Sequence, residues 1–311
     1  MQVIYSNEVA FDIPQNVATV GFFDGVHSGH RFLIEELTNT AKTRKMASMV
    51  ITFNTHPRKV LHADFQPNLL TTLEEKLTIF ADLGIDYCYV LDFNPQIAKY
   101  TADEFLRNVL FDKLNVRCLL VGHDHRFGHN RAEGFEEYKN YGNAMGMEVI
   151  QAIKFSTVEF PHISSSDARK ALQTGDIKKA NHILQYNYKL SGKVIDGFKV
   201  GRKIGFPTAN IQPENADKII PAMGVYAVEV VWNYSRYKGM MNIGQRPTLN
   251  NGLETSLEVH IFDFGQQIYK EIIEVYFVEK MRDEKKFDNV DELIKQLEID
   301  KTKVKEILNQ Y

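Results

Sequence analysis

Short apolar segments alternate with helical segments along the N-terminal half of the chain. The apolar segments are rich in β-branched and aromatic residues and are apolar on both faces, and they cover 17–23, 47–53, 87–91, 118–121 and 148–152. Such strands are typical of a parallel sheet covered on both sides. Apolar stripes at helical spacing predict helices between them, at 29–44, 73–83, 101–114 and 133–145. The alternation predicts an α/β fold whose ligands bind beyond the carboxyl ends of the strands.

The pattern changes after residue 160. Two short helices are predicted at 166–174 and 177–184, and a polar stretch at 185–189 has the character of a linker. Strand-like segments then follow between turns, at 188–195, 205–211, 224–233, 237–243, 256–264 and 270–278. An amphipathic helix is predicted near the end, at 290–309. We therefore predict two domains, 1–186 and 187–311, the second an antiparallel barrel with a terminal helix.

Composition narrows the class of protein. The chain has 311 residues, of which 44% are hydrophobic and 25% charged, as expected for about two globular domains. Its 37 Lys and Arg against 40 Asp and Glu give no basic surface for nucleic acid. There is no signal-like N-terminus and no continuous apolar run long enough for a membrane span. We expect a cytoplasmic protein, in which Cys88 and Cys118 are buried free thiols. The oligomeric state stays open.

The first candidate site follows the first predicted strand. Segment 21–30 has the sequence G-F-F-D-G-V-H-S-G-H and leads into a helix. Its glycines, Gly21, Gly25 and Gly29, permit close approach of a ligand, and the helix N-terminus favours phosphate. His27 and His30, three residues apart, point to one side and can both donate to a triphosphate. A metal-binding histidine pair is the alternative, although neither a glutamate of the H-E-x-x-H type nor a third ligand is evident.

The second candidate site lies at 192–210. This segment combines the glycines of a turn, Gly201 and Gly205, with two cations, Arg202 and Lys203. A hydroxyl and an amide follow, on Thr208 and Asn210. Glycines and cations suit phosphate, and the oxygens of Thr208 and Asn210 are hard ligands of the kind that Mg²⁺ prefers. A barrel corner is the alternative interpretation, since Gly, Pro and Asn also form turns.

These segments carry a family resemblance. The first segment resembles the H-x-G-H signature of the nucleotidyltransferase superfamily, in the form found in prokaryotic bifunctional riboflavin kinases/FAD synthetases. Further matches are T-F-N-T-H-P-R at 52–58, G-H-D-H-R-F-G at 122–128, H-I-S-S-S-D-A-R at 162–169, G-F-P-T-A-N at 205–210 and L-E-V-H-I-F-D-F at 257–264. The resemblance implies a Rossmann-like nucleotidyltransferase domain, followed by a riboflavin kinase-like barrel. It also implies that ATP is a co-substrate, that Mg²⁺ is needed and that riboflavin and FMN are the other substrates.

The resemblance also implies residue roles. In the catalytic group, His27, His30 and Arg169 would act on the ATP phosphates, and Glu258 would take the proton of the riboflavin hydroxyl. The residues expected to bind ATP or phosphate are Gly21, Phe22, Asp24, Gly25, Gly29, Ser165, Ser166, Gly201, Lys203 and Gly205. Asp124 and Phe206 would lie on the flavin side, and Thr208 and Asn210 would hold Mg²⁺.

Three alternatives remain at this point. The first alternative is a chain with FAD synthetase activity alone and an inactive kinase domain. It arises because segment 265–270, with the sequence G-Q-Q-I-Y-K, lacks two acidic residues common in the family. The second is a flavin or nucleotide sensor without turnover. The third is a tRNA-linked enzyme of the same superfamily, which is disfavoured because basic and acidic residues are nearly equal in number. A zinc site formed by His123, His125 and His129 is a further, weaker hypothesis, because no ligating cysteine or carboxylate pattern accompanies them.

Overall fold

The structure is a computed structural model that describes residues 1–7, 12–61, 64, 66, 68–123, 126–129, 133–155, 163–197, 200–247 and 253–310. It divides into two compact units, Met1–Ser164 and Ser165–Tyr311. Each unit is built on its own sheet. The predicted fold class, a parallel α/β domain followed by an antiparallel barrel with a terminal helix, is confirmed.

The first unit contains a six-stranded parallel sheet. Its strands are β1 (Gln2–Tyr5), β2 (Asn16–Val20), β3 (Ala47–Phe53), β4 (Tyr87–Leu91), β5 (Val116–Val121) and β6 (Glu148–Gln151). The order across the sheet is β1-β4-β3-β2-β5-β6, and all neighbours are parallel. After β2 the chain first builds β3 and β4 on one side and then returns to place β5 on the other. The carboxyl ends of β2 and β5 therefore form the switch point at which such sheets bind ligands.

Helices and helical turns connect these strands. They are α1 (Ser28–Arg44), α2 (Pro57–Leu61), α3 (Leu73–Asp82), α4 (Ala102–Glu104), which continues as a π-helix over Phe105–Lys113, and α5 (Phe135–Met145). The start of α3 is a capping box, in which the Thr72 hydroxyl accepts from the Glu75 N–H and the Glu75 carboxylate accepts from the Thr72 N–H. Thr101 and Glu104 form the same box at the predicted start of α4.

Both faces of this sheet are covered. Successive residues of β2 enter two different apolar clusters, since Val17 packs with α1 and α3 on one face and Ala18 packs with the π-helical segment on the other. All five residues of β2 are buried. This double burial explains why the strands are continuously apolar in the sequence.

The second unit is a closed antiparallel barrel with helices around it. Its strands are β7 (Lys189–Ile195), β8 (Ala209–Pro213), β9 (Gly224–Trp232), β10 (Ser235–Pro247), β11 (Leu253–Ile261) and β12 (Ile272–Arg282). The order around the barrel is β10-β11-β8-β7-β12-β9. Its helices are α6 (Ser165–Thr174), α7 (Ile177–Leu184), α8 (Val200–Lys203) and α9 (Val290–Leu308).

The terminal helix α9 closes an apolar cluster against the barrel. Val304 and Leu308 of α9 pack there with Met240 of β10 and with Phe206 and Phe262. The strand β10 extends beyond its predicted range at both ends. The strands β8 and β12 begin and end later than predicted, whereas β11 begins and ends earlier. The elements β1, α2 and α8 are short and were not predicted.

Helices α6 and α7 belong to the barrel unit. The Asn181 side chain donates to the Phe277 carbonyl at 2.8 Å and accepts from the Tyr188 N–H at 2.8 Å, and the Ala222 N–H donates to the Leu172 carbonyl at 2.9 Å. These contacts join α6 and α7 to the barrel, and the second compact unit begins at Ser165. The boundary at 186 between the two activities stays a prediction.

Both cysteines are buried free thiols, as predicted. Burial raises the pKa of Cys88 to about 12 and that of Cys118 to about 11, so both stay protonated at neutral pH. Within the described residues, we find no helix with the length and apolar character that a bilayer span requires.

Candidate active sites

Segment 21–27 leaves the carboxyl end of β2 in a strained turn. The Gly21 N–H still bonds to the Ile51 carbonyl of β3, at 3.0 Å, and a 3₁₀ turn follows over Asp24–Val26. Phe23, Gly25 and Val26 all have positive φ, of 53°, 77° and 36°. A positive φ is uncommon for Phe and costly for Val. Strain of this kind persists where the surroundings hold it and is concentrated at functional sites.

His27 and His30 lie together at the start of α1, as their spacing predicted. Their rings are stacked, with centroids 3.7 Å apart and planes 20° from parallel. His27 is the N-cap residue of α1, is only 6% exposed, and its carbonyl accepts from the Arg31 N–H at 2.9 Å. An anion bound at this helix start can therefore meet both rings at once. The helix N-terminus adds positive potential at the same place.

The glycines leave room for these aromatic rings. A Cβ on Gly21 would lie 2.8 Å from the Phe23 ring, and one on Gly29 would lie 3.3 Å from the His27 ring. Larger residues would displace rings that shape the loop. The sequence identified these glycines as allowing ligand approach, and the structure adds that they accommodate the loop's own side chains.

Asp24 anchors the loop to the segment that precedes α3. Its carboxylate is 3% exposed and accepts from the backbone N–H groups of Leu70 and Thr71 at 3.0 Å. The Gly25 N–H donates in turn to the Thr71 hydroxyl at 2.9 Å. Asp24 therefore shapes the loop from behind, and its expected contact with phosphate stays a prediction.

Lys76 lies against this loop, although no sequence motif indicated it. It lies on α3, is 1% exposed, and its ammonium donates to the Phe22 carbonyl at 2.9 Å and to the Thr52 hydroxyl at 3.3 Å. Its Nζ also lies 4.0 Å from the centre of the Phe22 ring. The sequence does carry a signal, since Lys76 falls on the same helix face as the apolar Leu73 and Phe80.

For the other residues predicted for the adenylyl-transfer site, the structure gives a position in the fold, or the residue lies outside the described part of the chain. Ser165 and Ser166 lie in the first turn of α6, at a helix start as expected, and Arg169 lies on the same helix. A role for these three residues in holding the triphosphate stays a prediction. Asp124, expected on the flavin side, lies outside the described residues, as does His125.

The second site lies on the barrel, where β8 pairs with β11. Asn210 and Glu258 face each other in register across these strands. The Thr208 hydroxyl donates to the Glu258 carboxylate at 3.2 Å. Asn210 is buried, Glu258 is half-buried and Thr208 is exposed. The structure thus brings together a hydroxyl, an amide and a carboxylate from two predicted motifs.

His260 holds the turn that leads to Thr208. Its Nδ1 lies 2.7 Å from the Pro207 carbonyl, which can only accept, so Nδ1 carries the hydrogen. Burial lowers the pKa of His260, which keeps the ring neutral. The ring also contacts Phe206 edge-on, with centroids 5.3 Å apart. His260 falls within the motif at 257–264, but the family resemblance implied no role for it.

The glycine-rich turn before Thr208 is tightly packed. A Cβ on Gly201 would lie 2.2 Å from the Phe206 carbonyl, and Gly205 has a φ of 85°, so both positions favour glycine. Lys203 is exposed at the end of α8. The Phe206 side chain is 4% exposed and belongs to the cluster beneath α9. Phosphate binding by the turn and flavin binding by Phe206 stay predictions.

Comparison with protein families finds two matches along the chain. The family described as FAD synthetase matches residues 11–167, and the family described as riboflavin kinase matches residues 184–308. The first match contains the His27 and His30 pair, and the second contains Thr208, Asn210 and Glu258. The two candidate sites therefore fall in two different families.

Curated relatives match over nearly the whole length. Two proteins named "Bifunctional riboflavin kinase/FMN adenylyltransferase" illustrate this. The one from Escherichia coli (strain K12) is 36% identical over 291 residues, covering 93% of this chain and 92% of the relative. The one from Haemophilus influenzae is 35% identical over 311 residues, covering 99% and 100%.

A solved structure shares the fold. A protein from Streptococcus pneumoniae, whose crystal structure is titled "Macrolide-efflux Protein", superposes with a TM-score of 0.89 and is 32% identical. The match covers 98% of this chain and 99% of that one. Its title describes that protein, whereas both family matches and the curated relatives of this chain concern flavin enzymes.

Proposed function

Because the chain belongs to the family of bifunctional riboflavin kinases/FMN adenylyltransferases, we propose that it makes FMN and FAD from riboflavin in two ATP-dependent reactions, one for each family match. The riboflavin kinase region phosphorylates riboflavin to FMN and releases ADP. The FAD synthetase region adenylylates FMN and releases pyrophosphate. The observation that carries this proposal is that each family match contains its own cluster of polar side chains, suited to its own reaction. The alternative of FAD synthetase activity alone is not supported, since the riboflavin kinase match spans residues 184–308.

In the adenylyl-transfer reaction, we assign the ATP phosphates to segment 21–30. The stacked pair of His27 and His30 and the N-terminus of α1 offer donors and positive charge to the triphosphate. As pyrophosphate leaves, negative charge grows on its oxygens, and donors that are already in place stabilise it. No covalent protein intermediate is needed if the FMN phosphate is placed in line with the α-phosphorus.

In the kinase reaction, we assign the base to Glu258. Its carboxylate accepts the proton of the ribityl terminal hydroxyl while that oxygen attacks the γ-phosphorus of ATP. The bond from the γ-phosphorus to the β,γ-bridging oxygen breaks, and ADP leaves. The Thr208 hydroxyl, 3.2 Å from Glu258 Oε2, orients the carboxylate.

The residues beside Glu258 fit Mg²⁺. Thr208 and Asn210 supply hard, neutral oxygens, and the register of β8 and β11 sets Asn210 opposite the Glu258 carboxylate. When bound, Mg²⁺ neutralises charge on the ATP phosphates. Among the described residues, His, Cys, Asp and Glu form no group of three or more that could hold a metal by itself. Any metal here is therefore expected to be shared with the nucleotide phosphates, as is usual for Mg²⁺.

The location of these reactions is also part of the proposal. We place the protein in the cytoplasm, where ATP is available and where free thiols such as Cys88 and Cys118 stay reduced.

Separation of flavins after incubation with ATP and Mg²⁺ tests the proposal. The purified chain should convert riboflavin first to FMN and then to FAD, and it should convert supplied FMN directly to FAD. Asn210→Ala should raise the Mg²⁺ concentration needed for half-maximal FMN formation and leave the Mg²⁺ dependence of FAD formation from FMN unchanged. Asn140→Ala, a change at an exposed position of α5, is the matched control. Failure to convert either flavin would contradict the proposed function.

A further inference from the structure

The carbonyl group of Phe22 is held by two donors from behind the loop. It accepts from the Lys76 ammonium at 2.9 Å and from the Thr52 hydroxyl at 3.2 Å. In a trans peptide the C=O and the following N–H point in opposite directions, and no described peptide bond is cis. The Phe23 N–H therefore points away from Lys76 and Thr52. The position of Lys76 thus determines which polar group the loop presents on its other side.

The same segment of the chain holds the loop at a second point. Leu70 and Thr71 bind the Asp24 carboxylate through their N–H groups, and Thr71 also accepts from Gly25. Helix α3 begins directly afterwards, with the capping box of Thr72, and Lys76 lies one turn further on. Residues at the start of α3 and just before it thus form hydrogen bonds to the loop on both sides of the strained Phe23. The capping box fixes this helix start and so makes it a rigid support for the loop.

Lys76 brings a positive charge to this buried position. The titratable groups that face its ammonium are Asp24 of the loop, Cys88 of β4 and Glu74 of its own helix. Burial is the main influence and lowers the pKa of Lys76 to about 8, while Asp24 works in the opposite direction. The ammonium is therefore charged at neutral pH, and the charge is lost as the pH rises through about 8.

We propose that Lys76 is a positioning residue for adenylyl transfer, which holds the Phe22 carbonyl away from the triphosphate so that the loop presents N–H groups to the phosphates. The inference rests on the proposed assignment of the ATP phosphates to segment 21–30. A carbonyl oxygen turned towards the phosphates would repel them, whereas an N–H would donate to them. A charged donor holds a carbonyl more firmly than a neutral one, and this is the contribution that Lys76 adds to that of Thr52.

The experiment measures FAD formation from FMN by the full chain at varied ATP and pH. Lys76→Met removes the donor at similar side-chain length, and Lys76→Arg keeps a charged donor. Loss of a hydrogen bond to a charged group predicts that kcat/KM for ATP falls about 10- to 100-fold in Lys76→Met, with partial recovery in Lys76→Arg. The exposed Thr78→Ala on the same helix is the matched control. Riboflavin phosphorylation by each preparation checks the barrel unit independently.

The pH profile separates positioning from simple support of the fold. In the unaltered chain, kcat/KM for ATP should decline above pH about 8, because Lys76 loses its charge. That decline should move to higher pH in Lys76→Arg and be absent from Lys76→Met. If Lys76→Met fails to fold, Lys76→Arg and Thr52→Val carry the test, and Thr52→Val should raise KM for ATP while keeping the decline near pH 8. An identical decline in the unaltered chain and Lys76→Arg would overturn the proposal.

Two further outcomes are decisive. A fall in kcat for Lys76→Met with unchanged KM for ATP would indicate fewer folded molecules and no positioning role. His27→Ala, measured in parallel, tests the loop assignment separately. Unchanged FAD formation in His27→Ala would overturn the assignment of segment 21–30. If FAD formation is lost in His27→Ala but stays at full activity in Lys76→Met, only the role of Lys76 is overturned.

Discussion

The Thr208 hydroxyl donates a hydrogen bond to the carboxylate of Glu258 at 3.2 Å, although the two residues are far apart in the chain. Thr208 directly precedes β8, and Glu258 lies on β11, which pairs with β8. The contact joins the proposed base to the proposed Mg²⁺ ligands. One pair of barrel strands therefore carries both the residue to which we assign proton removal and the residues to which we assign Mg²⁺.

Glu258→Gln should abolish most FMN formation from riboflavin. An amide has nearly the shape of a carboxylate but cannot accept the hydroxyl proton, and loss of a general base typically costs about 10²- to 10⁴-fold in rate. FAD formation from supplied FMN should continue at the original rate. Glu271→Gln, at an exposed glutamate just before β12, is the control. Loss of both activities in a folded Glu258→Gln chain would contradict the division of labour.

His30→Ala should show the opposite separation of activities. It removes a donor that the stacked pair offers to the triphosphate, and loss of one such donor typically lowers kcat about 10²- to 10³-fold. FMN formation from riboflavin should be preserved, because that reaction uses the barrel. Steady-state rates for both flavins in one preparation provide the measurement. Equal loss of the two activities would argue against the assignment of this pair to adenylyl transfer.

Arg282→Met should destabilise the barrel unit. Arg282 donates to the Asp300 carboxylate of α9 through Nη2 at 2.8 Å, and Asp300 is 2% exposed. Removing one partner leaves a buried charge, which typically costs about 3 kcal/mol. The additional change Asp300→Leu should recover most of the free energy of unfolding, since no charge is then left unpaired. Urea unfolding of Arg282→Met, Asp300→Leu and the double variant measures both effects, and an additive loss in the double variant would contradict the explanation.

Glu274 should make the barrel sensitive to acid. Burial favours the neutral form of its carboxyl, but hydrogen bonds from Lys189 and Tyr276 outweigh it and lower the pKa below the ordinary 4.5. A lowered pKa contributes stability above the ordinary value, and the contribution is lost as the pH falls through the folded-state pKa. Glu274→Gln should therefore flatten the decline of the unfolding free energy below pH 4.5. Exposed Glu271→Gln should leave that decline unchanged, and equal flattening by both variants would count against the prediction.

Local pattern in the sequence determined a large part of this protein. Apolar stretches marked five of the six parallel strands, because doubly covered strands are continuously apolar. The spacing of His27 and His30 placed both rings on one side of a helix start, since residues three apart are neighbours there. The predicted helix at 101–114 begins with the capping box of Thr101 and Glu104, whose contacts all lie within one turn. The motifs at 21–30 and 205–210 carried the family resemblance.

Contacts between distant segments were decided by the tertiary structure alone. The pairing of β8 with β11 sets Glu258 opposite Asn210, and no local pattern specifies that register. The role of Asp24 became evident only when its carboxylate met the N–H groups of Leu70 and Thr71. Lys76 reaches the Phe22 carbonyl only because α3 packs beneath the loop that follows β2. Hydrogen bonding within a turn depends on sequence spacing, whereas these contacts depend on how sheets, barrels and helices pack.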